Sequence, residues 1–163
     1  MRVLFLFFIV FATAFSFGQT EGYKKMLSNY YSDFPTISIK EAYHQSINRQ
    51  ALFLDVREKD EFNISHIKNA IQISPNANEF KQLDSVAKDQ PIIVYCSNAA
   101  RSQDIGIKLK SLGYTNVTNV YGGLFNWVNH SYPMVDKDSK RTTKIHGYSE
   151  SWGKWITKGE IVY

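Results

Sequence analysis

The feature that most constrains the fold is an apolar run that ends at the single cysteine of this chain. Residues 91–102 read PIIVYCSNAARS. A proline followed by four β-branched or aromatic residues predicts a fully buried strand, with Cys96 at its carboxyl end. The segment that begins at Ser102 predicts a helix, and Gly113 supplies its stop signal. Its apolar stripe consists of Ile105, Leu109 and Leu112.

A short loop between a buried strand and a helix is the general architecture of an anion site. Its backbone N–H groups can point inward, and the helix adds unpaired amino-terminal donors and the positive end of its dipole. A cysteine in this position is favoured as the nucleophilic thiolate, and a nearby arginine adds to the effect. Cys96 and Arg101 are therefore candidate functional residues. The alternative from the residues alone is a buried structural cysteine after a strand.

Strand and helix patterns alternate along the rest of the chain. A capping box at Ser38 and Glu41 predicts a helix through about Asn48. Further strands are predicted over residues 36–39, 51–56, 70–74 and 117–121, and a further helix over 76–87. This alternation predicts an α/β fold with a central parallel β-sheet flanked by helices on both faces. The cysteine loop then lies at the carboxyl edge of the strands.

Length and composition are those of one globular unit. The 163 residues are 44% hydrophobic and 15% aromatic, which is ample for one core. The formal net charge of +4 comes from scattered Lys and Arg residues without a basic run. We therefore interpret the charge as a solvated surface and expect no nucleic-acid partner.

The first 19 residues are typical of an export signal. Arg2 precedes an apolar run over residues 3–15, and the small residues Ser16 and Gly18 suit the sites before a signal-peptidase cut. The run is shorter than the ~18 apolar residues that a membrane span needs, so we expect no stable membrane anchor after cleavage. We expect the mature protein in the periplasm, or secreted where the cell has no outer membrane.

Four segments in order resemble the rhodanese superfamily of sulfurtransferases. They read LDVREKDEF at residues 54–62, SHIKNAIQIS at 65–74, CSNAARS at 96–102 and VYGGLFNW at 120–127. The resemblance implies a single α/β domain in which Cys96 takes a sulfane sulfur from a small anionic donor such as thiosulfate. Cys96 then holds it as a persulfide and passes it to a thiol or cyanide acceptor, or to a protein partner in a sulfur relay. No metal or organic cofactor is implied.

The resemblance also assigns the site residues. Cys96 is the nucleophile, and the substrate and persulfide loop consists of Ser97, Asn98, Ala99, Ala100, Arg101 and Ser102. Asp55 and Arg57 are assigned a supporting network near the loop, with an ion pair that holds a turn as the equal alternative. His66 matches a histidine that commonly anchors a turn.

Two loop positions depart from the family pattern. Ala99 stands where active rhodaneses usually have glycine, and a positive φ there would cost on the order of 1 kcal/mol. Ser97 stands where enzymes that use thiosulfate often have a basic residue. Both changes bear on which donor is preferred rather than on the nucleophile.

We predict four parts in the chain. Residues 1–18 form the signal peptide, 19–35 an amino-terminal arm, 36–132 the rhodanese-like domain and 133–163 an aromatic extension beyond the resemblance. Residues 137–144 of the extension are polar and predict a loop. The rest of it has too many large apolar groups to be left in water, so we expect it to pack on the domain. It could line the mouth of the site or offer a partner surface.

Two alternative functions stay open at the level of sequence. Cysteine phosphatases and arsenate reductases hold a tetrahedral anion in a loop with five residues between cysteine and arginine, whereas four separate Cys96 from Arg101. The shorter loop suits a sulfur atom carried on the cysteine. The second alternative is a partner-loaded sulfur carrier or binding module, which Ser97, Ala99 and the aromatic extension favour.

Overall fold

The computed structural model describes residues 21–31 and 33–163, so the predicted signal peptide lies outside the described residues. A single turn of 3-10 helix spans Lys81–Leu83. The helices are α1 (Glu21–Ser28), α2 (Ile39–Asn48), α3 (Lys59–Ile64), α4 (Ala100–Ser111), α5 (Gly123–Asn129) and α6 (Glu150–Gly153). The strands are β1 (Thr36–Ile37), β2 (Leu52–Asp55), β3 (Ile71–Gln72), β4 (Ile92–Tyr95), β5 (Val117–Val120), β6 (Met134–Val135), β7 (Arg141–Thr142), β8 (Lys144–His146) and β9 (Glu160–Val162).

Five parallel strands form the central sheet in the order β1-β5-β4-β2-β3. Strand β4 is its middle strand and is buried along its whole length. It pairs with β2 on one side and with β5 on the other. The predicted buried strand before Cys96 is thus confirmed, and Cys96 lies at the carboxyl edge of the sheet.

The side chains of β4 alternate between two apolar clusters, one on each face of the sheet. Ile93 and Tyr95 pack in a cluster with residues of α1, α2 and α5. Ile92 and Val94 pack in the other cluster with residues of α4. Successive side chains of a strand point to opposite faces, so a strand covered on both sides is apolar throughout. The predicted parallel sheet with helices on both faces is confirmed.

The prediction of a helix over residues 76–87 is wrong. This segment contains only the 3-10 turn, which buries Phe80 and Leu83. Apolar residues spaced by three match the three-residue turn of a 3-10 helix as well as one face of an α-helix. The apolar spacing of this segment therefore could not separate the two.

Residues before and after the sheet pack in one cluster with it. Tyr23 of α1 lies with its ring centroid 5.6 Å from that of Trp155. Ile145 of β8 and Ile156 are buried in the cluster that also contains Ile93. The segment predicted as a loop over residues 137–144 includes β7, which pairs antiparallel with β6. Within residues 21–31 and 33–163, no helix has the length and hydropathy needed to cross a membrane.

Candidate active site

Cys96 follows β4 directly, and the next residues wrap its sulfur. The Cys96 side chain is fully buried. The backbone N–H of Ala99 donates to Cys96 Sγ at 3.1 Å, and Sγ lies 3.8 Å from Asn98 Oδ1. A fixed backbone donor at this place can stabilise negative charge on sulfur. The loop therefore has the geometry to hold a sulfur-centred anion.

Ala99 adopts the left-handed conformation that glycine adopts without strain. Its φ is 82°, and it is the residue immediately before the first turn of α4. A side chain at positive φ costs on the order of 1 kcal/mol. The chain thus turns from the loop into α4 at the expense of backbone strain at Ala99.

Arg101 is held by Glu61 in a two-pronged salt bridge. Its Nη1 donates to Glu61 Oε2 at 2.8 Å, and its Nη2 donates to Oε1 at 2.9 Å. The Ser97 hydroxyl donates to the same Oε1 at 3.1 Å. The positive charge of this loop arginine is therefore balanced by a carboxylate of the protein.

The carboxylate of Glu61 stays ionised over a wide pH range. Burial alone would raise the pKa of Glu61, but the hydrogen bonds and charge of Arg101, the backbone N–H of Glu58 and the charge of Arg57 lower it to about 2. Glu61 is consequently ionised in neutral solution, where it can pair with Arg101.

A buried polar pair fastens the far end of the loop. Ser102 Oγ lies 2.8 Å from Asn119 Oδ1 and 3.1 Å from the carbonyl oxygen of Ala99. Asn119 Nδ2 donates to that carbonyl oxygen at 3.0 Å. Both side chains are fully buried. Because buried polar groups are costly unless paired, these bonds hold Ala99 in one position.

The first turn of α5 closes over the start of the loop. The backbone N–H of Leu124 donates to the carbonyl of Cys96 at 2.8 Å, and that of Phe125 donates to the carbonyl of Ser97 at 2.9 Å. Gly123 has a φ of 57°, and a Cβ there would collide with the Cys96 carbonyl oxygen. Glycine is required here because two backbones meet.

The arm before β1 supports the turn that leads into α5. The Tyr23 hydroxyl donates to the Gly122 carbonyl at 3.0 Å. The Tyr31 hydroxyl accepts from the Gly122 N–H and lies 3.3 Å from the Val120 carbonyl oxygen. Two side chains from the arm therefore position the backbone that lies against the cysteine loop.

A pocket of about 170 Å³ opens beside the loop. Its lining comprises Ser97, Asn98, Ala100, Arg101, Phe125, Tyr148 and Trp152. The last two residues belong to the extension, which the sequence analysis left undecided between the site and a partner surface. Cys96 lies beneath the loop rather than on the pocket surface, because its side chain is fully buried.

Asp55, Arg57 and His66 form a separate group beside the loop. Arg57 is fully buried, donates from Nε to Asp55 at 2.9 Å, and also donates from Nη2 to the Ser65 carbonyl. His66 Nδ1 lies 2.9 Å from the Phe62 carbonyl oxygen, and burial lowers the pKa of His66. These contacts are those of an ion pair and a histidine that hold a turn. Arg57 reaches the site through its charge on Glu61.

Two residues of the site were not singled out from the sequence. Glu61 lies forty residues from Arg101 along the chain, and its only signal was a charge opposite to that of the loop arginine. Asn119 is a fully buried amide in strand β5, between Thr118 and the buried Val120. A polar residue within a buried strand is the pattern that could have identified it. Within the described part of the chain, no group of three or more His, Cys, Asp or Glu side chains is placed to hold a metal ion.

Comparison with known proteins points to one family. A family model described as Rhodanese-like domain matches residues 38–130. A thiosulfate sulfurtransferase GlpE from Coxiella burnetii is 30% identical over 103 residues, which are 63% of this chain and 94% of that protein. An adenylyltransferase and sulfurtransferase uba4 from Ogataea parapolymorpha is 38% identical over 92 residues, 55% of this chain but 24% of that protein.

A solved structure gives the same picture. The polysulfide-sulfur transferase homodimer from Wolinella succinogenes matches with a TM-score of 0.54 and 25% identity, over 71% of this chain and 88% of that one. The names of these relatives support sulfur transfer as the general activity.

Proposed function

Because this chain belongs to the rhodanese-like domain family, we propose that it is a sulfurtransferase that carries a sulfane sulfur on Cys96 as a persulfide. The observation that carries the proposal is the hydrogen bond from the Ala99 N–H to Cys96 Sγ, 3.1 Å long, in a loop held from both ends. A donor that already points at the sulfur needs no reorganisation when charge develops there.

The reaction has two half-reactions with one covalent intermediate. The Cys96 thiolate attacks the outer sulfur of the donor and forms a new S–S bond. The donor S–S bond breaks, and its electron pair departs with the leaving group, which is sulfite when the donor is thiosulfate. A thiol or cyanide acceptor then attacks the outer sulfur of the persulfide and restores the Cys96 thiolate. A protein partner in a sulfur relay is the alternative acceptor.

The test is thiosulfate:cyanide sulfurtransferase activity of the chain beside its Cys96→Ser variant, with intact-mass analysis after incubation with the donor. We expect turnover and a mass gain of one sulfur atom, both abolished in Cys96→Ser. Loading that survives in Cys96→Ser would place the chemistry elsewhere and contradict the proposal.

A partner-loaded sulfur carrier is the second candidate. It is favoured by the full burial of Cys96 and by the pairing of Arg101 with Glu61, which leaves no unbalanced charge to attract a small anion. A partner-loaded carrier would not show multiple turnover with cyanide, and incubation with thiosulfate alone would add no sulfur atom to it. The same experiment therefore separates the two candidates.

We also propose that the protein is exported and cleaved after Gly18. The support is the order of Arg2, the apolar run over residues 3–15 and the small residues Ser16 and Gly18. The test is expression in a bacterium with an outer membrane, followed by fractionation and amino-terminal analysis. Export predicts periplasmic protein that begins at Gln19, whereas cytoplasmic protein that retains residues 1–18 would contradict it.

A further inference from the structure

The aromatic wall of the active-site pocket comes from outside the segment that matches the family. Tyr148 and Trp152 line the pocket, and both follow residue 130, where the family match ends. Phe125 adds a third aromatic side chain from α5. The floor of the pocket is thus built by the loop inside the family match, whereas Tyr148 and Trp152 of its wall lie beyond that match.

Tyr148 is held in an unusual conformation at this wall. Its φ is 65°, which is rare for a bulky side chain, although more than half of its surface is exposed. The Tyr148 ring centroid lies 5.2 Å from the guanidinium carbon of Arg101. The backbone N–H of Tyr148 donates to His146 Nδ1 at 3.0 Å. Strained backbone at the rim of a pocket is commonly retained for function.

Trp152 is positioned by packing against the arm. Its ring centroid lies 5.7 Å from that of Tyr30. The ring also lines the pocket, so the contact with Tyr30 helps to fix one side of the cavity. Aromatic side chains provide a large apolar contact area with few rotatable bonds.

The charges of the pocket do not match a dianion. Among the described residues that line it, Arg101 is the one charged side chain, and both of its terminal nitrogens are bonded to Glu61. The pKa of Glu61 is about 2, so the balancing negative charge persists in neutral solution. Transfer of a doubly charged donor from water to this pocket is unfavourable, because the pocket offers no net positive charge to compensate for the lost hydration.

We propose that the sulfur donor of this protein is an organic sulfane-sulfur compound with an aromatic or apolar substituent, which packs on Tyr148 and Trp152. This inference rests on the proposed persulfide function of Cys96. In the loading step the Cys96 thiolate bonds to the outer sulfur of the donor. The donor S–S bond breaks, and the organic fragment leaves with the electron pair as a sulfinate from a thiosulfonate, or as a thiolate from a persulfide.

The test compares three donors under one assay. Benzenethiosulfonate and methanethiosulfonate are both monoanions and differ in the substituent, whereas thiosulfate is a dianion without one. We expect kcat/KM for benzenethiosulfonate to exceed that for methanethiosulfonate by about tenfold or more, the range for an apolar group that fills a pocket. We expect thiosulfate to be the poorest of the three. A benzene-to-methyl ratio near one would overturn the proposal.

Variants separate the aromatic wall from general effects. Tyr148→Ala and Trp152→Ala should lower the benzene-to-methyl ratio to within about threefold of one, because each removes part of the surface that the phenyl group contacts. Leu112→Ala is the control, since this large apolar side chain is 50% exposed, follows the far end of α4 and is not among the pocket residues. It should leave the ratio unchanged. Equal ratios in all three variants and in the unmodified chain would refute the role of the wall.

A binding measurement distinguishes failure of this inference from failure of the proposed function. Binding of benzenesulfonate and of methanesulfonate to Cys96→Ser requires no sulfur transfer and can be followed by tryptophan fluorescence. Preferential binding of benzenesulfonate that is lost in Cys96→Ser/Tyr148→Ala supports the apolar site even if no donor loads Cys96. Equal affinity for the two sulfonates refutes the apolar site even if thiosulfate loads the cysteine.

Discussion

At the scale of single residues, Ala99 shows how the loop balances strain against the placement of a donor. Its N–H donates to Cys96 Sγ, and its φ of 82°, which an alanine adopts at a cost, turns the following chain into α4. The neighbouring Ser102 and Asn119 hold its carbonyl from the other side. The loop geometry is therefore maintained by buried hydrogen bonds rather than by backbone preference.

Ala99→Gly should stabilise the protein by about 0.5–1 kcal/mol, because glycine adopts positive φ without a steric penalty, while part of the gain is lost to its greater freedom in the unfolded chain. Urea unfolding measures the change. Ala100→Gly is the control, since Ala100 lies within α4 and no such strain exists there. It should not stabilise. Loss of stability in Ala99→Gly would show that the loop is not strained at this residue.

Glu61 should make stability depend on pH in the acid range. The pKa of Glu61 is about 2 in the folded protein, below its ordinary value of 4.5. A carboxyl group with a lowered pKa stabilises the folded state above its ordinary pKa, and this contribution is lost as the pH falls from about 4.5 toward about 2. The loss amounts to no more than about 3 kcal/mol.

The measurement is the free energy of urea unfolding at pH 6 and at pH 3 for the protein and for Glu61→Gln. The difference in the free energy of unfolding between pH 6 and pH 3 should be smaller in Glu61→Gln, because the contribution of Glu61 is absent. Glu79→Gln is the control, because the ion pair of Glu79 with Lys81 is largely exposed and contributes little. The same pH dependence in Glu61→Gln as in the unmodified protein would contradict the assignment.

At the scale of elements, the site is made where the carboxyl ends of β4 and β5 meet two helices. The first turn of α5 donates hydrogen bonds to the carbonyls of Cys96 and Ser97, and the start of α4 carries Arg101. The short helix α3 contributes Glu61 from the far side of the loop. No single element contains the site, so the geometry of the site depends on how closely these elements pack against one another.

Gly123→Ala should disturb the packing of α5 against the cysteine loop, and it should cost more stability than Gly113→Ala. A Cβ at Gly123 would collide with the Cys96 carbonyl oxygen and lie 2.8 Å from that of Ser97. Gly113 has a φ of 91° but has no atom within 4 Å of an added Cβ. Gly113→Ala should therefore cost about 1 kcal/mol for its positive φ, and Gly123→Ala that amount plus about 1–3 kcal/mol for the collision.

Thermal or urea unfolding of both variants checks this difference, and sulfur loading of Cys96 gives a second measurement. Gly123→Ala should impair loading because the cysteine loop shifts, while Gly113→Ala should retain it. Equal effects of the two substitutions on stability and on loading would show that the close contact between the start of α5 and the cysteine loop is unimportant.

At the scale of the whole molecule, the arm and the extension share a core with the sheet. Ile145 of the extension is fully buried in the cluster that contains Ile93 of β4 and Tyr23 of the arm. A continuous apolar core favours a single cooperative unfolding transition. We therefore expect the extension to unfold together with the sheet and not as an independent tail.

Ile145→Ala should destabilise the whole protein by about 2–5 kcal/mol, the usual cost of removing a fully buried isoleucine side chain. Ile107→Ala is the control, since Ile107 is 50% exposed on α4 and its removal should change stability by no more than about 0.5 kcal/mol. Far-UV circular dichroism and tryptophan fluorescence should show one midpoint. Separate midpoints for the two signals would mean that the extension folds on its own.

Much of the fold was predictable because its signals are local. Within residues 91–102, the strand contains no charged or amide side chain, and small residues follow it directly. The strand, the loop and the helix can therefore be predicted from neighbouring residues. The failure over residues 76–87 has the same origin, since an apolar spacing of three is shared by two kinds of helix. The family resemblance also rested on short local segments, and the sheet with helices on both faces confirmed the fold that it implied.

The sequence by itself determined that Cys96 would end a buried strand and begin a polar loop, because periodicity and composition act between residues near each other in the chain. Only the tertiary structure decided that Glu61 would neutralise Arg101 and that Tyr148 and Trp152 would wall the pocket. These partners are distant in sequence. The chemical type of a charged or aromatic side chain does not by itself specify which distant residue it contacts. That choice depends on how the sheet, the helices and the extension pack together, because packing sets which surfaces touch.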